Sequence, residues 1–259
     1  MNEPVWERLK FDKLAPNLVL RALLFSDPKR AVFRGGLADD SADAHDVLVQ
    51  LFLEDEKCAE ERVNRFLEAK YFDHPHLLRY LQVGTFSRSE GIITYAVTEP
   101  ADESGRRSLT AKDALEFAQH VLSGLKYLHD RNLLYCVLSP NTVVSERTNW
   151  KLSDFSQLRV AGTDTGDEAL SLASKLDTSP PEAEEGLFSP AWDVWSFGQT
   201  LRKLLSGETR AMTDAFRPIF LACLNINPSS RPTLDQLSGL LESTRLSDRE
   251  HGISAAAGL

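Results

Sequence analysis

Apolar residues in the first hundred positions come in short runs, whereas further along they recur every three or four residues. Leu18–Phe25 is such a run, bounded by the turn Ser26-Asp27-Pro28-Lys29, and Ala31–Phe33 follows it, which predicts a hairpin. The small and polar stretch Gly35–His45 predicts a loop. Asp46–Leu53 reads DVLVQLFL, rich in β-branched and aliphatic side chains, and predicts a buried strand. The period then changes. In Asp55–Phe72, Val63, Phe66, Leu67 and Tyr71 predict one apolar helix face, with Pro75 ending the helix. Leu77–Phe86 and Gly91–Thr98 predict two more strands.

Glu99–Leu109 is polar, contains Pro and Gly, and reads as a linker. Ala111–His129 carries Leu115, Ala118, Val121, Leu122, Leu125 and Leu128 on one stripe, predicting a long buried helix, with Thr110 as its N-cap. Two short β segments, Thr142–Ser145 and Trp150–Leu152, flank the turn Glu146–Asn149. Val160–Leu176 is a loop long enough to signal function or mobility. Helices follow at Val194–Leu205, ended by Gly207, at Ala211–Leu224, and at Thr233–Ser243, opened by Pro232. A β-rich half with one helix thus precedes an α-rich half. The expected class is α+β, an order that points to a cleft between two lobes.

The 259 residues, 42% hydrophobic and 26% charged, suit one large domain or two packed lobes. A net charge of −9 repels phosphate backbones and argues against a nucleic-acid partner. Cys58, Cys136 and Cys223 form no CxxC pair, and an odd count suits reduced thiols in a cytoplasmic compartment. The start MNEPVWERLKFDK lacks the apolar core of a signal peptide, and no run of about 18 apolar residues offers a membrane segment. The six histidines show no metal-ligand spacing and receive no role. The tail HGISAAAGL has no packing pattern and is expected to fray.

Several short motifs stand in a fixed order. Tyr127-Leu128-His129 ends the long helix, and Leu134 to Val144 reads LYCVLSPNTVV, the frame of H-R-D-L-K-P-x-N followed by apolar residues. Lys151-Leu152-Ser153-Asp154-Phe155-Ser156 resembles K-x-x-D-F-G, and Pro180-Pro181-Glu182 resembles A-P-E. Asp193 to Gly198 reads DVWSFG. Cys223-Leu224 through Pro228, Arg231 and Pro232 resembles C-L-x-x-x-P-x-x-R-P-T, and His74-Pro75-His76-Leu77-Leu78 resembles H-P-N-I-V. Across Leu18 to Leu241 the chain therefore resembles the eukaryotic-type Ser/Thr protein kinase family, in a wording closer to its bacterial members. The resemblance implies a bilobal kinase-like fold. Its small lobe would cover 1–98, a hinge 99–109, a mainly helical large lobe 110–245 and a flexible tail 246–259.

Phosphoryl transfer on this fold needs a strand lysine, a helix glutamate to hold it, a catalytic aspartate, and Asp and Asn ligands for magnesium. Val47-Leu48-Val49-Gln50 matches V-A-I-K and puts Gln50 at the lysine, with no positive charge. Arg65 falls at the glutamate, with Glu61 and Glu68 a turn either side. Val137 replaces the aspartate, Thr142 the asparagine (Asn141 is one residue early), and Cys136 the preceding arginine. Phe25 to Phe33, FSDPKRAVF, stands where a glycine-rich loop belongs and has no glycine; Pro28 lacks an N–H and Asp27 repels phosphate. Asp154 is the retained metal-site residue. Lys29 or Arg30 offers a relocated cation.

What persists is architectural. Asp193 is expected to hold the catalytic-loop backbone, Glu182 and Arg231 to form a buried ion pair, and Tyr135 and Phe155 to stack in an apolar spine. The resemblance therefore implies a pseudokinase, a regulatory or protein-binding module whose partner is an active kinase or another signalling protein. Its alternative is an unorthodox active Ser/Thr kinase. No cofactor is assigned on the residues; ATP, with or without Mg, is what the resemblance implies. Thr98, Glu99 and Ala101 would face its adenine, with Val32 and Val144 either side and Gln50 and Asp154 toward its phosphates.

Overall fold

A computed structural model of the chain describes residues 6, 9, 13–38, 44–101, 109, 111–146, 148–162, 171–172, 176–186, 188–206 and 214–243. Thr110, Gly207 and the tail lie outside the described residues, as do parts of the expected loops at 35–45, 99–109 and 160–176. The chain divides into two compact units, Met1–Asp73 with Leu78–Ala101, and His74–Leu77 with Asp102–Leu259.

The first unit is an antiparallel sheet in the order β1-β2-β3-β4-β6-β5. Its strands are β1 (Lys13–Ala15), β2 (Leu18–Ser26), β3 (Arg30–Ala38), β4 (Ala44–Glu54), β5 (Tyr80–Arg88) and β6 (Gly91–Thr98). Alternation gives the sheet two buried faces. Leu18, Leu20, Phe33, Val49, Leu51, Ile93 and Val97 fill one, together with Trp6 and Leu9. Val32, Gln50 and Ala96 stand side by side in register on the other, next to the row Arg30, Phe52 and Thr94. Helix α1 (Glu56–Ala69) packs on that second face, where the Phe66 ring centroid is 5.7 Å from Phe52 and 5.3 Å from Tyr80. Asp55 caps the helix by accepting the Cys58 N–H at 2.9 Å.

Three expectations change here. Gly35 and Gly36 belong to β3, not to a loop, because the partner strand comes too close for a side chain. A Cβ at Gly35 would lie 2.9 Å from the Val19 carbonyl oxygen, and one at Gly36 would lie 2.5 Å from the Arg21 guanidinium. The buried face of α1 is Ala59, Phe66 and Ala69, while Leu67 is 43% and Tyr71 84% exposed. Phe66, flanked by two alanines, sets that face, and Leu67 beside it turns outward. The helix ends at Ala69, before Pro75 acts on it. Trp6 and Leu9, in a segment read only for its charge, are core residues.

In the second unit, α2 (Ala111–His129) packs against the hairpin of β8 (Val143–Glu146) and β9 (Asn149–Leu152), with Phe117 edge-on to Trp150 at 5.4 Å. β7 (Leu133–Leu134) pairs with β10 (Arg159–Val160), so Val160 closes a strand. Helix α3 (Pro190–Leu204) starts four residues earlier than its apolar run, with Pro190 in its first turn. Gly198 lets α4 (Arg217–Cys223) approach it; a Cβ there would lie 2.6 Å from the Cys223 Cβ. Residues 234–243 form α5. Thr233 and Gln236 cap it reciprocally, at 2.8 and 3.3 Å, so Pro232 precedes the cap and does not open the helix.

Candidate functional site

The segment from β7 to β8 is held from below by a single carboxylate. Asp193, in the first turn of α3, is fully buried and accepts the N–H groups of Tyr135 and Cys136, each at 2.8 Å. His129 Nε2 bonds the same carboxylate at 2.8 Å, and Trp192 Nε1 donates to the Cys136 carbonyl at 3.1 Å. Turning two successive amides onto one carboxylate puts Cys136 at φ 63°, a left-handed conformation unusual for a residue with a side chain. Burial and the Asp193 charge push the Cys136 thiol well up, so it stays protonated. Thr178 and Thr200 both donate to the Leu138 carbonyl, at 2.8 and 3.2 Å.

On this frame the chemical positions are inward-looking. Val137 is buried and apolar. The Thr142 hydroxyl accepts the Ser139 N–H at 3.0 Å and shares its proton between the carbonyls of Val137 (2.9 Å) and Ser139 (3.1 Å). It staples the loop shut. Asn141 beside it is exposed. Tyr135 and Phe155 meet edge to face at 5.9 Å. The Tyr135 hydroxyl donates to the Thr142 carbonyl at 2.9 Å and accepts the Asp154 N–H at 3.0 Å; burial, then the Asp154 charge, hold it neutral. Asp154 is buried, and its Oδ1 accepts the Ser156 N–H at 3.0 Å. Val144 is buried on β8, opposite Lys151 of β9.

Glu182 and Arg231 form a bidentate pair at 2.5 and 2.7 Å. The guanidinium also donates to the carbonyls of Asn225 and Ala191, both at 2.9 Å, and lies 4.8 Å from the Trp195 ring centroid. Every face of the cation has an acceptor or a π surface.

In the first unit, Gln50 is 5% exposed in the middle of β4, and its Oε1 accepts a hydrogen bond from Arg30 Nη2 at 3.0 Å. Arg65 pairs with Glu61 along α1 at 3.3 Å, and Arg62 grips Glu54 through both carboxylate oxygens at 2.9–3.0 Å while lying over Phe52. The hairpin between β2 and β3 spends its own amides. Asp27 N–H donates to the Arg30 carbonyl at 2.8 Å, and the N–H groups of Lys29 and Arg30 both donate to Asp27 Oδ1 at 2.8 Å. Pro28 has none to give. Asp27, expected to repel an anion, instead closes the turn. Val32 is buried opposite Gln50. Thr98 ends β6 with its hydroxyl donating to the Glu99 carbonyl at 3.2 Å. Glu99 in turn exchanges bonds with Arg79, from its N–H at 3.0 Å and to its carboxylate at 3.1 Å. Ala101 is half-buried.

A magnesium–polyphosphate pair draws on protein carboxylates, amide oxygens and free backbone N–H groups. In the second unit Asp154 supplies one carboxylate and the Thr142 hydroxyl is already engaged; in the first unit the hairpin amides of Lys29 and Arg30 are engaged by Asp27. Among the described residues no cluster of three or more His, Cys, Asp or Glu is placed to hold a metal ion, and no helix is long and apolar enough to cross a membrane. Four of the histidines read as having no role are structural: His129 bonds Asp193, and His76 contacts both His74 and His120. Their spacing in sequence carries no trace of that cluster.

Comparison with known proteins agrees with this frame. The model of the family described as protein tyrosine and serine/threonine kinase matches residues 29–215. The chain is 29% identical to human tyrosine-protein kinase FRK over 210 residues, 67% of this chain and 41% of that protein. It is 31% identical to ephrin type-B receptor 1 of Gallus gallus over 153 residues, 55% and 16% of the two. It is 37% identical to megakaryocyte-associated tyrosine-protein kinase of Rattus norvegicus over 103 residues, 39% and 22%. The chain spans less than half the length of each of these curated relatives. The family description covers both acceptor classes, so the Ser/Thr part of the expectation is replaced by the coarser statement, a protein kinase domain.

Proposed function

The chain belongs to the protein tyrosine and serine/threonine kinase family, and on that premise we propose that it is a pseudokinase, a regulatory module that binds protein and transfers no phosphoryl group. The observation that carries this reading is Thr142. It stands at the metal-binding asparagine, and its hydroxyl is consumed by three atoms of its own loop. Val137 and Gln50 support it, because neither brings the charge that positions and stabilises a moving phosphoryl group. So does the hairpin, whose amides are satisfied by Asp27. The partner is an active kinase or another signalling protein, in the cytoplasm. Leu67 on α1 and Tyr71 just past its end, both exposed, favour that end of the helix as a contact surface.

The first test is a thermal-shift titration with ATP, with and without Mg or Mn. A ligand of the native state must raise its stability. The expected outcome is an unchanged Tm at millimolar nucleotide. A metal-dependent rise that disappears in Asp154→Ala would establish a nucleotide site, and phosphoryl transfer from it to a protein hydroxyl would refute the reading.

One observation favours a second reading, an unorthodox kinase acting on a protein hydroxyl. Arg30 reaches Gln50 at 3.0 Å and so brings a guanidinium to the lysine position. On that reading Arg30→Ala abolishes nucleotide affinity. An affinity equal in the variant and the wild type removes it.

A further inference from the structure

Three imidazoles of the second unit meet, two of them from the segment that resembles H-P-N-I-V. His76 and His120 are stacked, with centroids 4.1 Å apart and planes 16° from parallel; His74 lies edge-on to His76 at 5.5 Å. Their partners assign the protons. The Trp150 N–H donates to His120 Nδ1 at 3.2 Å, so His120 carries its proton on Nε2. His76 Nδ1 donates to the Trp150 carbonyl at 3.3 Å. The His76 N–H donates to His74 Nδ1 at 3.2 Å, leaving the His74 Nε2–H for Ser123 Oγ at 3.3 Å. The two stacked rings thus grip both polar atoms of one peptide residue at the start of β9. Asn149 Nδ2 adds a bond to the Pro75 carbonyl at 2.9 Å, and the Leu152 N–H adds one to the His76 carbonyl at 2.9 Å.

A second proton on His120 can go only to Nδ1, where it would point at the Trp150 N–H. The stack would then carry a cation against its neighbour ring. We propose that His74, His76 and His120 form a pH-sensitive clip: neutral, it fastens residues 74–77 to α2 and β9, and protonation of His120 opens it. The segment it holds joins α1 to β5 in sequence yet belongs to the second unit. The other charged groups around the clip do not cancel this. Lys151 on β9 opposes a charge on His76 and is itself paired with Glu146 of β8 at 3.0 Å. Glu116, one turn before His120 on α2, is the nearest carboxylate along that helix. In agreement with the geometry, burial and then the His76 charge bring His120 down to about 4, and burial lowers His76.

The test is amide hydrogen exchange on the full chain, corrected for the intrinsic pH dependence, with Trp150 and Leu152 as reporters and Val49 and Phe197 as controls. Protection at the reporters is expected to fall about tenfold between about pH 7.5 and about pH 5, with the controls unchanged. His120→Asn, which keeps an acceptor for the Trp150 N–H but cannot titrate, is expected to abolish the fall. Flat protection in the wild type, an equal fall at the controls, or an undiminished fall in the variant would each overturn the proposal. Should the variant fail to fold, the imidazole ¹⁵N titration of wild-type His120 decides: a midpoint at the ordinary imidazole value of about 6.5, with no depression in the folded chain to link protonation to opening, overturns it as well.

Discussion

Two sets of positions in this chain meet the same physical demand in opposite ways. In the second unit Asp193, Glu182 and Arg231 are almost completely buried, and each is surrounded by bonds from its own fold. On the β7–β8 segment and in β4, Val137 and Gln50 stand where the family carries charge, and Thr142 stands where it carries the metal-binding asparagine. A buried charge is costly unless compensated. Asp193 is compensated by two backbone amides and His129, all part of the fold. An aspartate at Val137 would depend on a ligand for compensation, and a lysine at Gln50 on a ligand or on the helix glutamate whose place Arg65 takes. Charge stands where the fold itself balances it, and neutral side chains stand at Val137 and Gln50.

That contrast can be broken from either side. The largest effect is expected at Arg231→Ala, which strands Glu182 in the interior and should cost about 3 kcal/mol or more; a melting temperature within about a degree of wild type would contradict it. Asp193→Ala leaves two buried amides and His129 without their acceptor, and a loss of about 2–3 kcal/mol in denaturant unfolding is expected. Thr142→Ala should cost about 1–2 kcal/mol, with Thr142→Ser restoring most of it. A restored metal ligand is the wrong rescue on this account: Thr142→Asn should not confer transfer, because Val137 remains. Asp27→Ala frees the amides of Lys29 and Arg30 and is expected to cost about 1 kcal/mol.

The smallest effect is a slope with pH. His120 is held below its unfolded value of about 6.5, so the folded chain binds fewer protons than the unfolded one as pH falls. Its contribution to stability is whole above that value and is lost progressively toward about 4. The ring is half-exposed, so solvent screening limits the size. A Tm that declines by a few degrees from neutral pH to pH about 5, and declines less in His120→Asn, is the expected record.

Periodicity alone was enough for elements whose side chains face one partner each. The bounds of α2 and β6 coincide with those expected from their apolar pattern. It failed where the partner's proximity decides. Gly35 and Gly36 look like loop residues until Val19 and Arg21 are seen pressing on them. In α1 it is Phe66 with Ala59 and Ala69, not Leu67 and Tyr71, that is buried, because the ring of Phe66 docks on Phe52 and Tyr80 of the sheet. For the candidate site, motif spacing located the positions but not their bonding. Nothing in the sequence tells that Thr142 closes its own loop, that Asp27 satisfies the hairpin, or that His76 and His120 lie face to face.

The central claim, that a kinase frame without its charges carries no transferase activity, is tested most directly by transfer of labelled γ-phosphate from ATP, with Mg or Mn, to the chain itself and to peptides bearing serine, threonine or tyrosine. The account predicts incorporation no greater in the wild type than in Asp154→Ala. Turnover by the wild type that vanishes in that variant would contradict it.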